Sequence, residues 1–322
     1  MVTHRNVPLS KLMYYKIGGK ARWVLEANSV DDIFEAVAFI HRNKIDKYMV
    51  VGLGANLLMP DEDYDGVIIH LRESRKVDIH LTSDGLITAF AGQTLDDLIH
   101  FSFENGYTGL ENLGGLPSTI GGAIRGNAGA FGVDMKRVLV KVSVLELTKS
   151  SYKTLEMTNE ECQFAYRDSI FKKSQRYIVL KGFFHLESGT TEDVLAAGRI
   201  YKEKVQYRKR HHPVEYPSCG SVFKNIREER EVKKIISVWP DIEQKVAADW
   251  HGKVSMGYVI KRLGFSGKQI GGAKITEKHA NYICNVDRAK ASEVKEIIQE
   301  IAAKFHDTFG FVPELEAEIV ND

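Results

Sequence analysis

Cysteine is scarce in this sequence. Its 322 residues hold three, Cys162, Cys219 and Cys284, widely spaced and with no Cys-x-x-Cys pair. The odd count argues against a closed disulfide set and fits a reducing, cytoplasmic compartment. Excess charge is lacking too. The 44 basic and 43 acidic residues leave a net charge of +1, which gives no reason to expect a nucleic-acid or membrane-surface partner. No apolar run approaches the ~20 residues that span a bilayer. The N-terminus, "MVTHRNVPLSKLMYY", lacks the basic start and apolar stretch of a signal peptide. The 11 histidines form no His-x-x-x-His pair and no cluster with acidic residues, so no catalytic zinc is expected. Internal repeats and low-complexity segments are missing as well.

What is present is an ordinary soluble composition, 43% hydrophobic and 27% charged. The length exceeds what one core usually spans, so two or three domains are expected. Residues 1–72 alternate helix and strand patterns: Ser29 and Asp32 resemble a capping box, Ile33, Val37 and Ile40 share a helical face, and "YMVVG" and "GVIIHL" read as strands. Residues 73–208 are richer in strands ("KVDIHL", "LITAFAG", "VLVKVSVLEL", "RYIVLKGFFHL"). One helix, capped by Thr94 and Asp97, interrupts them, and a further helix is expected over 191–207. Pro213 and Pro217 then break regular structure. Past a boundary near 209, "EREVKKIISV", "GYVIKRLGF" and "ASEVKEIIQEIAAKF" read as helices. The last carries an apolar stripe of Val294, Ile297, Ile298, Ile301 and Phe305, with a stop at Gly310. The one dense basic run, "YKEKVQYRKRHH" at 201–212, reads as a solvated helix end and linker, with room for one cation to meet an anionic small substrate.

Two glycine-rich segments carry most of the chemical signal. "VGLGANLLM" places Gly52, Gly54, Ala55 and Asn56 directly after an apolar strand, where a bent backbone can turn its N–H groups toward a phosphate. It is not the dinucleotide fingerprint, since Leu57 stands where the third glycine would be. By itself a strand-to-helix turn explains it equally well. "LGGLPSTIGGAIRGNAGAFG" at 113–132 is denser: seven of the 27 glycines lie there, where even spreading would put about two. A loop of small residues lets backbone amides line a groove for a diphosphate. A flexible linker is disfavoured, because Leu116, Ile120, Ile124 and Phe131 want burial.

The ordered set "YKIGGKA", "GLGANLL", "LGGLPSTIGGAIRGNAGAFG", "YRDSIFK", "EYPSCGSVFKN", "GGAKITEKHANYICN" and "LEAEI" resembles the UDP-N-acetylenolpyruvoylglucosamine reductases, also called UDP-N-acetylmuramate dehydrogenases. The likeness runs from about residue 14 to 319. It implies an α+β, three-domain flavoprotein: a vanillyl-alcohol-oxidase-type FAD-binding fold over 1–72 and 73–208, and a C-terminal α/β substrate domain over 209–310. The segment 311–322 can return to the first domain. It also implies a cytoplasmic enzyme of peptidoglycan synthesis, expected as a monomer. That enzyme uses non-covalent FAD and NADPH to reduce the enolpyruvyl ether of UDP-N-acetylglucosamine. By resemblance, "YKIGG" and the two glycine segments form the flavin site, with Gly52, Gly54, Ala55, Asn56, Leu57, Gly121, Gly122, Asn127, Ala128 and Gly129 lining it. Hydride passes from reduced FAD to the vinyl carbon and a serine supplies the proton.

The catalytic set implied is Arg167, Ser221 and Glu318. A forked, permanently charged guanidinium suits a carboxylate whose charge grows. Ser221 matches the proton donor, and Glu318 the acid or water-holding partner. Tyr166, Lys209 and Asn225 are substrate candidates, with a plain solvated lysine an equal reading of Lys209. His279 reads as structural. Within "EYPSCGSVFKN", Cys219 has no evident charged neighbour to make it a thiolate, and Ser218 reads as a turn former. The family often continues further past the Glu318 position, so its strand is expected to be weakly anchored. The stretch 226–255 reads as a peripheral helical insertion or a lid. No substrate-covering tyrosine loop is visible, which points to the subclass without it. A sugar or lactone oxidase of the same superfamily would share the glycine segments but lack "PSCGSVFKN". A non-catalytic nucleotide sensor need not keep Arg167, Ser221 and Glu318 together.

Overall fold

Ser29 starts the first long helix, Val30–Arg42, its hydroxyl accepting the Asp32 N–H at 3.2 Å. Ile33, Ala36, Val37 and Ile40 form the buried face. Thr94 and Asp97 make a full reciprocal box at the head of helix Leu95–Glu104, with bonds of 3.1 and 3.0 Å. The computed structural model describes residues 1–73, 77–148 and 151–321. Lys76, the first residue of the expected strand "KVDIHL", lies outside them, and the strand itself is Ile79–Leu81. No described helix is long and apolar enough to cross a membrane.

The described chain forms two units, and the division is not linear in sequence. The first takes Met1–Val7, Ala21–Leu53 and Asp65–Arg208. It holds a four-stranded sheet ordered Val2–Pro8, Lys20–Ala27, Tyr64–Leu71, Tyr48–Val51, whose last pair is parallel. It also holds a five-stranded antiparallel sheet ordered Tyr152–Thr158, Leu139–Leu147, Tyr177–Phe184, Ile87–Phe90, Ile79–Leu81. One core joins both sheets, running from Ile33 and Val67 through Phe90 and Leu98 to Val144 and Phe184.

Two expectations change here. Residues 113–132 are not one open loop, because Ile120–Arg125 form a short helix capped by Thr119. Its first N–H groups are already taken: Ile120 and Gly121 donate to the Gln93 and Ala91 carbonyls at 2.8 Å, and Gly122 donates to the Thr119 hydroxyl at 3.2 Å. The helix Thr191–His211 also runs through the basic stretch. Lys202, Lys209 and Arg210 are exposed, but Arg208 is only 8% exposed and donates from Nε to the Gly114 carbonyl at 3.0 Å. A buried guanidinium needs such an acceptor.

The second unit takes Pro8–Lys20, Gly54–Tyr64 and Lys209–Asp322. Its three-stranded antiparallel sheet is Gln269–Ile270, Ala273–Ile275, Ile283–Asn285. Helix Ala291–Phe309 covers the core with Val294, Ile297, Ile298, Ile301 and Phe305, and ends at Gly310. The stretch 226–255 is helical, over Glu229–Val238 and Glu243–Ala248. It is not merely peripheral: Val232, Ile235, Ile242, Val246 and Val254 belong to the core. Tyr15 and Ile17 of "YKIGG" are buried in that same core.

Candidate active site

The first unit holds Gly52, Gly121, Gly122, Asn127, Ala128, Gly129, Tyr166 and Arg167. The Gly52 turn lies so close to the cap of helix Ile120–Arg125 that a Cβ on Gly52 would sit 2.2 Å from Thr119 Oγ1. That contact demands glycine and brings the two glycine segments side by side. Asn127, 2% exposed, uses its whole side chain as a tie. Nδ2 donates to the Ala165 carbonyl at 2.9 Å and toward Asp134 at 3.3 Å, and Oδ1 accepts the Lys136 N–H at 2.9 Å. Its side chain therefore serves the protein, and contact with a ligand falls to the backbone.

The tie holds the Tyr166–Arg167 turn. Ala165 and Asp168 exchange both backbone bonds, at 3.0 and 3.2 Å. Arg167 inside this turn has φ +57, a region costly for a long side chain and often kept where function needs it. Its Nη2 donates to the Gly129 carbonyl at 2.7 Å, so one end of the fork is fixed by the glycine segment itself. The Asp168 carboxylate meets Lys173 at 3.0 Å and the Ser169 N–H at 2.9 Å.

The second unit holds Gly54, Ala55, Asn56, Leu57, Lys209, Ser221, Asn225 and Glu318. A hydrogen-bond ladder joins Asn56, Leu57 and Glu318 to Val222, the residue after Ser221. Glu318–Ile319 pairs in parallel with Leu57–Leu58. Glu318 N–H donates to the Asn56 carbonyl at 2.9 Å, and Asn56 Nδ2 to the Glu316 carbonyl at 3.1 Å. Glu316 and Ala317 N–H both point to the Val222 carbonyl, at 2.8 and 3.2 Å. The Glu318 strand is thus tied on two sides, contrary to the weak anchoring expected. Gly220 precedes Ser221 at φ +78, a turn that favours glycine. Ser221 and Glu318 are both half-buried.

Asn281 is a neighbour of the serine loop that residue-type reasoning missed. Only 3% exposed, it accepts the Phe223 N–H on Oδ1 at 3.0 Å and donates Nδ2 to the Phe223 carbonyl at 2.8 Å. Its own carbonyl accepts the Val222 N–H at 2.9 Å. The only sequence signal is a lone amide amid the apolar run "ANYIC". Asn225 turns its Oδ1 to the Met256 N–H at 3.0 Å, at the head of helix Met256–Arg262. Lys209 is exposed. Cys219 is buried, which pushes its thiol up to about 12. His279 is half-buried, and loss of solvent around its ring lowers its pKa. Its Nδ1 accepts the Asn281 N–H at 3.3 Å, and its ring packs edge-on against Tyr282. Among the described residues, the N–H groups of Gly52 and Leu53 in the first unit, and of Gly54, Ala55 and Asn56 in the second, have no acceptor in the protein. Such donors suit a diphosphate.

Residues 21–149 match the model of an FAD binding domain, and residues 212–320 match the C-terminal domain of UDP-N-acetylenolpyruvoylglucosamine reductase. A reductase of that name from Carboxydothermus hydrogenoformans is 34% identical over 317 residues, covering 98% of this chain and 93% of that protein. The chain belongs to the UDP-N-acetylenolpyruvoylglucosamine reductase family. The Anoxybacillus flavithermus reductase is 32% identical, over 95% of this chain and 90% of its own. The crystal structure of the Thermus caldophilus family member superposes with a TM-score of 0.73 at 25% identity, covering 100% of both chains. The FAD-binding domain, the C-terminal domain of the family and the mixed helix and strand content agree with the α+β flavoprotein fold expected from the resemblance.

Proposed function

We propose that this chain is the UDP-N-acetylmuramate dehydrogenase that its family membership implies. It reduces the enolpyruvyl ether of UDP-N-acetylglucosamine at the expense of NADPH, for peptidoglycan synthesis. FAD, when bound, supplies the hydride relay between NADPH and the vinyl carbon of the substrate. The acceptor-less N–H groups of Gly54, Ala55 and Asn56 fit the diphosphate of that cofactor.

The chain's own residues do the rest. Once the terminal methylene is reduced, charge collects on the neighbouring carbon and spreads into the substrate carboxylate. Arg167 holds that carboxylate, and the Gly129 bond limits the rotation of its guanidinium. Ser221 gives a proton to the charged carbon, and Glu318 stabilises the same species directly or through a water. Tyr166, Lys209 and Asn225 contact the UDP-sugar. The observation that carries this reading is the ladder joining Val222, next to Ser221, through Glu316 and Ala317 to Glu318 and Asn56. It supports a shared role for residues 97 positions apart in sequence, Ser221 and Glu318. The reading includes functional bodies over 1–72, 73–208 and 209–310, a monomer in the cytoplasm, and the subclass without the tyrosine loop.

The test is spectroscopic. The purified protein is expected to be yellow, to bleach anaerobically with NADPH, and to recolour when the enolpyruvyl ether is added. Rapid recolouring by oxygen alone, without response to that ether, would favour the oxidase. Absence of flavin would sink both. Ser221→Ala is expected to leave flavin reduction intact and to slow reoxidation by the substrate roughly 10²–10⁴-fold. Equal slowing of both half-reactions would remove Ser221 from the proton step.

A further inference from the structure

A cleft of about 1040 Å³ opens in the second unit; it takes in Lys16, Ile17 and Gly18 of "YKIGG", and none of the residues proposed above for catalysis, the substrate or the cofactor diphosphate lines it. Its charged lining is Lys16, Asp61, Asp287, Arg288 and Lys290, and Pro217 forms part of the wall. Among the described residues, none of the three cations makes an ion pair. Asp61 is already engaged: its carboxylate accepts the Ala291 N–H at 2.6 Å, the Ser292 N–H at 2.9 Å and the Ser292 hydroxyl at 2.8 Å, and Lys290 acts on it from nearby. Within the lining, Asp287 is the other acidic residue set against Lys16 and Arg288.

Both of these cations sit at strained positions, with φ +55 at Lys16 and +49 at Arg288. One side chain holds both turns. Asn285, 8% exposed, donates Nδ2 toward the Tyr15 and Lys16 carbonyls at 3.2 and 3.3 Å. Its Oδ1 accepts the Ala289 N–H at 2.8 Å. Its backbone N–H donates to the Pro217 carbonyl at 2.9 Å, four residues before Ser221. The two cationic turns and the start of the serine loop thus share a single buried hub.

We propose that this cleft is a regulatory site for a phosphate-bearing small molecule, with Arg288 and Lys16 meeting the phosphate oxygens. A guanidinium fork beside a mobile ammonium suits a phosphate better than a neutral ligand. The volume suits a small metabolite rather than a single ion. Occupancy pulls on the Lys16 and Arg288 turns, and Asn285 passes that pull to Pro217 and the loop that carries Ser221. The binding half stands apart from the proposed reaction; the coupling half rests on Ser221 as proton donor.

The test uses the FAD-loaded protein and inorganic pyrophosphate as probe, by calorimetry. Saturating uridine diphosphate fills the substrate's own diphosphate site. One pyrophosphate is expected to bind. The affinity is expected to fall about ten-fold or more in Lys16→Glu and Arg288→Glu, and less in the gentler Arg288→Gln. It is expected to hold in Lys304→Glu, an exposed lysine outside the cleft. Pyrophosphate should also shift the rate of flavin reoxidation by substrate in the parent and not in Arg288→Glu. Absence of binding once uridine diphosphate is present overturns the site, as does equal weakening in Lys304→Glu. Loss of FAD from the cleft variants would assign the cleft to the flavin and equally overturn it. Binding with no change in reoxidation overturns the coupling.

Discussion

Removing the Asn281 amide should separate the two half-reactions of this enzyme. In Asn281→Ala, the Phe223 N–H and carbonyl lose partners at 3.0 and 2.8 Å. Phe223 is 1% exposed, so water does not readily replace them. Each buried group left unpaired costs about 1–3 kcal/mol, which puts the loss at roughly 2–6 kcal/mol. A typical domain holds about 5–15 kcal/mol, so the variant is expected to fold with a loosened loop. The Val222 carbonyl keeps its bonds from Glu316 and Ala317, and the Val222 N–H keeps the Asn281 carbonyl. The loop is therefore displaced rather than released. A shift of about 1 Å in a positioned group can cost about 100-fold in rate. Stopped-flow absorbance would follow flavin reduction by NADPH and reoxidation by the enolpyruvyl ether separately. Reoxidation should slow by about that factor, with little change in substrate KM, while reduction stays at the parental rate. Asn281→Gln, which keeps the amide, should recover part of the loss. Unchanged reoxidation in a variant whose denaturation midpoint has fallen would show that the clamp serves stability alone and would refute the reasoning.

Gly52→Ala should lower the FAD retained after purification, because its Cβ would press within 2.2 Å of Thr119 Oγ1; full retention with an unchanged Tm would contradict the close approach. Burial holds the His279 ring below its ordinary pKa of 6.5. The unfolded state thus takes up the proton first on acidification, and the stability present above that value is lost progressively below it. His279→Gln should flatten the fall in stability between about pH 7 and pH 5. His70, lowered for the same reason, leaves part of the slope in place, and an unaltered slope would mean that His279 titrates normally in the native state. All three thiols are buried and pushed up to about 12. The native protein should therefore be inert to a thiol-specific reagent at mildly alkaline pH and reactive at all three sites in denaturant; rapid labelling of the native state would reopen Cys219 as a reactive group.

What could be read from the sequence was what depends on near neighbours. The Thr94–Asp97 box and the stripe from Val294 to Phe305 are local patterns, and the structure keeps both. The density of glycine at 113–132 suggested an open loop, and the structure forms a helix there instead. Gly121 and Gly122 are poor helix formers, yet they stand in a helix. A Cβ at Gly121 would come within 3.0 Å of the Ala91 side chain, so small residues are needed there to let the helix lie against that strand end. Tertiary contact overrides propensity in such places. Arg208 illustrates the same limit with charge: its type and basic neighbours suggest solvent, while a carbonyl 94 residues earlier makes burial affordable. At the serine loop the limit matters for chemistry. The motif marks Ser221, but nothing within it says whether the hydroxyl is held or free. That depends on Asn281, 58 residues from Phe223, and on the 316–317 backbone. A proton donor works only if its position is fixed when charge appears on the substrate. The residue proposed to deliver the proton is therefore legible in the sequence, and the residues that hold its loop become visible only when the chain has folded.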